Sequence, residues 1–180
     1  MFRPMLTVKK KICLLGTFAV GKTSTVERFV YSRFDDRYLT TIGVRVSQKR
    51  MPPMTVSGAS RQVQHTLLIW DIAAMDRFDS LVENYYRGSA GALAVGDLSR
   101  PDTFDHLEEI CTRFRGINPE AALVIVGNKA DLQPPDADTV ATMSRLAQLY
   151  ATDWFTTSAK SGENVDAAFT RLVQELGALK

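Results

Sequence analysis

Gly16-Thr17-Phe18-Ala19-Val20-Gly21-Lys22-Thr23 fits the pattern G-x-x-x-x-G-K-[ST] completely. Each residue type has a chemical use at that spacing. Gly16 and Gly21 permit backbone turns that a side chain would obstruct. The loop, with Phe18, Ala19, Val20 and the following Ser24, can then aim N–H groups at phosphate oxygens, and a helix starting there adds its partial positive charge. Lys22 neutralises phosphate as a point charge, and Thr23 offers a hydroxyl to magnesium. Asp71 ends the apolar run Leu67-Leu68-Ile69-Trp70, where a carboxylate can hold a metal-bound water. The chemistry implied is the holding of a nucleoside triphosphate with Mg2+.

A second set of residues can choose the base. Asn128-Lys129-Ala130-Asp131 has the form N-K-x-D and follows the apolar run Leu123-Val124-Ile125-Val126. The Asp131 carboxylate can accept from guanine's ring N–H and exocyclic amine. Adenine lacks that donor pair, and such a mismatch discriminates strongly. Asn128 can brace the loops, and the Lys129 stem can cover the base. Ser158-Ala159-Lys160 can supply a backbone N–H to the guanine carbonyl. The short motifs gain weight from their order and spacing after the phosphate loop. They favour GTP and GDP as ligands over the ligands of an ATPase or a small-molecule kinase.

Positioning these loops requires strands that end beside one another. Ile12–Leu15, Leu67–Trp70, Ala92–Val95, Leu123–Val126 and a shorter run at 154–157 read as strands covered on both faces. Residues 42–50 and 61–71 read as a hairpin joined by a loop with Pro52-Pro53 and Ser57-Gly58. Helical spacing links Val26, Phe29 and Val30. It recurs through Phe104, Leu107, Ile110, Cys111 and Phe114, through Val140, Met143, Leu146, Ala147 and Tyr150, and through Val165, Phe169, Leu172, Val173 and Leu176. Alternating strands and helices predict an α/β domain spanning 1–180, a P-loop NTPase with ligands at the C-terminal ends of the strands.

Composition fits. The chain has 180 residues, 45% apolar and 23% charged, with a net charge of +2. That balance argues against a surface built for nucleic acid. Lys9-Lys10-Lys11 reads as a solvated strand start. Cys13 and Cys111 read as core residues, since no paired Cys/His spacing accompanies them. His65 and His106 read as surface or strand-edge residues. No run approaches the ~20 apolar residues of a bilayer span, and no secretory signal is seen, so a cytoplasmic protein is expected.

With these motifs the chain resembles the Ras-superfamily small GTPases, closest to the Rab branch, over about residues 9–177. Tyr38-Leu39-Thr40-Thr41-Ile42-Gly43 is similar to the first switch. Trp70-Asp71 precedes the second, and Tyr85-Tyr86-Arg87-Gly88-Ser89-Ala90-Gly91-Ala92 is Rab-like. The resemblance implies a three-layer, doubly wound, mostly parallel six-stranded sheet with one antiparallel strand, five helices and a GTP/GDP cycle. It implies that Phe34 stacks on guanine and that Thr41 ligates Mg2+ in the GTP state. Effectors, an exchange factor and a GTPase-activating protein are the partners implied; the chain is expected to be a monomer, with nucleotide-dependent dimerisation as the alternative. No cysteine follows Cys111, so the family's prenylated tail is absent from this sequence. Prokaryotic members of the superfamily lack such tails too.

The second switch departs from the family's D-x-x-G-Q-E. Here Asp71-Ile72-Ala73-Ala74-Met75-Asp76 stands in its place. Met75 replaces the Gln that orients the attacking water, and a thioether has no N–H to donate. Ala74 replaces the Gly whose N–H meets the γ-phosphate. Phe18 is bulky beside that phosphate, where a partner's arginine would enter. The expected activity is therefore a slow GTPase with Lys22, Thr41 and Met75 at the reacting end. The alternative is a GTP-bound interaction platform with negligible hydrolysis.

Overall fold

A computed structural model describes residues 5–36, 41–55, 62–73 and 80–176. Its strands are β1 (Leu6–Leu15), β2 (Val44–Arg50), β3 (Met54–Thr55), β4 (Gln62–Ile72), β5 (Gly91–Asp97), β6 (Ala122–Asn128) and β7 (Trp154–Thr156). Its helices are α1 (Lys22–Tyr31), α2 (Ser80–Tyr86), α3 (Asp102–Asp105), α4 (Leu107–Ile117), α5 (Ala137–Leu149) and α6 (Val165–Glu175). The strands form one sheet in the order β2-β4-β1-β5-β6-β7, with β3 also on β4. β2 and β3 run antiparallel to β4; the other pairings are parallel.

The mostly parallel sheet expected from the resemblance is present, with a seventh strand. The added strand is β3, two residues within the segment read as a loop, where Met54 pairs with Val63. The helical pattern from Phe104 to Phe114 divides at His106 into α3 and α4.

Period-two alternation sorts the core onto two faces. On one face Ile12, Leu14, Ile69, Leu93 and Val124 meet Val26 and Phe29 of α1 and Phe169 and Leu172 of α6. Phe29 stacks on Phe169 with ring centroids 3.8 Å apart. On the other face Cys13, Leu15, Ala92, Ala94, Leu123 and Ile125 meet α2, α4 and α5 through Val82, Leu107, Phe114 and Leu146. Cys13 and Cys111 are buried free thiols, as expected of core residues. His65 is not a surface residue: β4 lies inside the sheet, and His65 is fully buried there, paired in register with Val8 of β1.

β1 extends beyond its neighbour. It pairs with β4 from Leu6 onward but with β5 only from Ile12. Lys11 is partly covered, its ammonium 3.9 Å from the centre of the Trp70 ring and donating to the Arg87 carbonyl at 2.8 Å. Among the described residues no helix is long and apolar enough to cross a membrane.

Candidate nucleotide site

The chain leaves β1 at Leu15 and enters α1 at Lys22, so 16–21 must turn sharply between buried elements. Glycine is required at both ends. Gly16 has φ +141, and a Cβ there would lie 2.3 Å from the Val95 carbonyl oxygen. Gly21 has φ +97, and a Cβ there would lie 2.3 Å from Asn128 Nδ2. Ala19 adopts φ 60, a left-handed conformation. α1 begins with no side-chain cap and no acidic residue in its first turn. Its first N–H groups are thus open to an anion.

The Lys22 ammonium folds back into this loop, donating to the carbonyls of Gly16 at 2.8 Å and Thr17 at 2.9 Å. Burial pulls its pKa down to about 8, while the charge of Asp71 acts in the opposite sense. Val20 is buried beneath the loop, Ser24 is half-buried in the first turn of α1, and the Phe18 side chain is 53% exposed.

The three expected metal-shell residues converge. Thr23 Oγ1 donates to Asp71 Oδ2 at 2.5 Å and lies 2.7 Å from Thr41 Oγ1. The other carboxylate oxygen, Asp71 Oδ1, is buried without a hydrogen-bond partner. Burial pushes the Asp71 carboxyl above its ordinary pKa, against the Thr23 hydrogen bond and the charges of Lys22 and Arg45. A carboxylate with one orphaned oxygen, linked through the Thr23 hydroxyl to that of Thr41, is a hard-oxygen set that fits magnesium.

The base-side residues are tied to the phosphate loop by side chains. Asn128 donates to the Val20 carbonyl at 3.0 Å, and its Oδ1 accepts from the Ala159 N–H at 3.2 Å and the Thr157 hydroxyl at 3.1 Å. Lys129, at φ 68, donates to the Ala19 carbonyl at 2.9 Å. Ser158 donates to Asp131 Oδ1 at 2.6 Å, orienting that carboxylate. The Lys160 side chain is exposed, 3.8 Å from an exposed Asp36. Phe34 is half-buried in the segment after α1. Tyr38–Thr40, Ala74, Met75 and Asp76 lie outside the described residues.

Three supporting residues were not found from the sequence. Asp97, fully buried at the end of β5, bridges Lys129 Nζ at 2.6 Å and Arg100 Nε at 3.1 Å. Arg100 Nη2 donates to the Phe18 carbonyl at 2.8 Å. Burial alone would raise the Asp97 pKa; bonds from Lys129, Ser99 and Arg100 outweigh it and hold the carboxyl below its ordinary value. Asp97 carried a usable signal, a carboxylate ending an apolar strand, as at Asp71. Arg28 of α1, bonded to the carbonyls of Ala159 and Lys160, carried none, because its partners lie more than a hundred residues away.

The sequence pattern of the Ras family matches residues 11–178. Rab-3 of Caenorhabditis elegans is 33% identical over 91% of this chain and 72% of its own length. Mouse Rab-31 is 33% identical over 97% of this chain and 87% of its own. Rab-4 of Dictyostelium discoideum is 32% identical over 98% and 82%. A hard-oxygen cluster, and a phosphate loop joined by one asparagine to an N-K-x-D loop, thus occur in a sequence of that lineage, and the chain belongs to the Ras family as a Rab-like small GTPase.

Proposed function

We propose that this small GTPase binds GTP and GDP with Mg2+ in the cradle built on 16–24, reads guanine with Asp131, and hydrolyses GTP slowly. The Thr23–Thr41–Asp71 cluster carries the reading. It places the Thr23 hydroxyl between that of Thr41 and a buried carboxylate that keeps one oxygen unpartnered. Thr41 comes from the segment similar to the first switch, so phosphate occupancy and the position of that segment are coupled.

The residues divide the work. The open amides at the start of α1 receive phosphate oxygens, and Lys22 exchanges two neutral carbonyls for charged acceptors, which makes stronger bonds. Thr23, Thr41 and Asp71 would hold magnesium, which supplies charge neutralisation at the phosphates when bound. Asn128 keeps the base loop and the phosphate loop at a fixed separation. Asp131, oriented by Ser158, accepts from the guanine edge. No side chain here serves as an evident general base, and catalysis in this class is mostly positioning and electrostatics. Met75 offers no donor to a water, and an exposed Phe18 stands where a partner's arginine would enter.

The switch would offer effectors an apolar face. Ile42 is 92% exposed, Val46 51% and Leu81 53%. Val46 lies directly across from Trp70 in the β2–β4 register. The second reading, a GTP-bound platform, is favoured by the same Phe18 and Met75. Nucleotide released from freshly purified protein separates the two: mostly GDP supports turnover, mostly GTP the platform. Single-turnover cleavage at or above the ordinary unassisted rate of small GTPases removes the slow-hydrolysis reading.

A further inference from the structure

Arg28 lies on α1, about two turns beyond the phosphate loop, on the side facing the 158–162 segment. Its Nε donates to the Ala159 carbonyl at 2.8 Å, and its Nη2 donates to the Lys160 carbonyl. Gly162 adopts φ +91 beside the arginine stem, where a Cβ would lie 3.5 Å from Arg28 Cδ. Among the described residues no carboxylate pairs with Arg28; its hydrogen bonds go to two consecutive peptide carbonyls.

That arrangement fixes the direction of the loop's donors. A planar guanidinium fork holds two acceptors at a set angle, which a flexible ammonium does not. The trans peptide plane then sends the Lys160 N–H opposite to the Ala159 carbonyl, away from α1. The Ala159 N–H is directed to Asn128 Oδ1 at 3.2 Å, and the neighbouring Ser158 hydroxyl to Asp131. Two consecutive amide donors are thereby set on the side of the loop occupied by the base-reading residues.

We propose that Arg28 is a specificity-positioning residue: by gripping the carbonyls of Ala159 and Lys160 it aims the Lys160 N–H at the oxygen on C6 of the purine. The inference rests on the guanine reading of the site. Arg28 does not touch the nucleotide; it acts through the backbone of 159–160. A staple that merely stabilised the fold would weaken every nucleotide alike, whereas a positioning residue alters the response to the C6 substituent alone.

The test is equilibrium binding to the full chain in magnesium with three probes. GDP carries oxygen at C6, 6-thio-GDP carries the weaker acceptor sulfur there, and IDP keeps the oxygen but lacks the amine that Asp131 accepts. The wild type should prefer GDP to both analogues. Arg28→Met should lower GDP affinity about tenfold, the effect of one hydrogen bond worth ~1.4 kcal/mol. It should bring the GDP to 6-thio-GDP ratio toward one and leave the GDP to IDP ratio unchanged. Arg28→Lys, which keeps the charge but not the fork, should shift the first ratio partway. It decides the matter alone if the methionine variant does not fold by circular dichroism. Equal losses for all three probes, no loss for any, or a wild type indifferent to sulfur at C6 would overturn the proposal. A wild type that takes ADP as readily as GDP would instead strike the guanine reading itself, and this inference with it.

Discussion

The grip on base and diphosphate and the end that would cut the γ-phosphate are built differently. On the gripping side Asn128 joins Val20, Thr157 and Ala159, Lys129 joins Ala19 to Asp97, and Arg28 joins α1 to 159–160. Apart from the exposed Lys160, these groups are buried or half-buried, and they come from four separate stretches of chain. On the proposed cutting side Phe18 faces solvent, and Met75 is the residue proposed to stand where a water-steering group would be needed. Retention of a nucleotide needs many mutually supporting contacts, whereas its cleavage depends on a few groups placed at one atom. The two can therefore be separated by very few substitutions. On the proposed reading, the gripping residues keep the motifs of the resemblance, while Met75 and Phe18 depart from them.

The largest effect should come from the gripping side. Lys22→Ala removes charge-assisted bonds to phosphate, each worth ~1.5–3 kcal/mol, so Mg–GDP affinity should fall about 10²–10⁴-fold by calorimetric titration. A loss below tenfold would mean that the loop amides alone hold the phosphates. Next, Asn128→Ala leaves the buried Val20 carbonyl and Ala159 N–H unpaired. The loss should be ~2–4 kcal/mol in the unfolding free energy measured in urea, with weaker GDP binding. If affinity falls with unchanged stability, the asparagine serves the ligand alone.

Sharpening the contrast requires a gain on the cutting side. Met75→Gln should raise the single-turnover rate about tenfold while leaving GDP affinity within a factor of about two. No change in rate would transfer the responsibility to Ala74 or Phe18. The smallest effect concerns the buried thiols. Burial pushes Cys13 up to about 11 and Cys111 up to about 12, with the Ser89 hydrogen bond acting against this at Cys13. Both should resist a thiolate-directed reagent at pH 8 and react only on unfolding. Fast labelling of the native chain would place an opening motion in the second core face.

Much of the gripping side was legible because its signals are local. The glycines of the phosphate loop, the asparagine and carboxylate of N-K-x-D, and the apolar strands each show within a few residues. The structure adds what depends on distance along the chain. Arg28 and Asp97 find their roles through partners far away in sequence, and a single arginine or aspartate has no period to betray it. His65 was misplaced for a similar reason. The strand pattern gave its alternation, but not that β4 would be enclosed by β1 on one side and β2 and β3 on the other. Strand ends also depended on partners. The run at 154–157 loses Thr157 from β7, and that hydroxyl turns to Asn128 instead. Thr41 and Thr40 were equivalent as hydroxyls in sequence; the structure places Thr41 in contact with Thr23, and Thr40 lies outside the described residues.

The overhang of β1 bears on how the molecule behaves in a crowd. From Leu6 to Lys11 it has β4 on one flank and, among the described residues, no strand on the other. Such a margin is a template on which a neighbouring molecule could crystallise its own backbone. Three successive lysines lie along it, Lys9 exposed and Lys10 and Lys11 partly so. Two copies brought margin to margin would crowd like charges together as they began to zip, so the sheet ends at its own boundary instead of seeding a fibre.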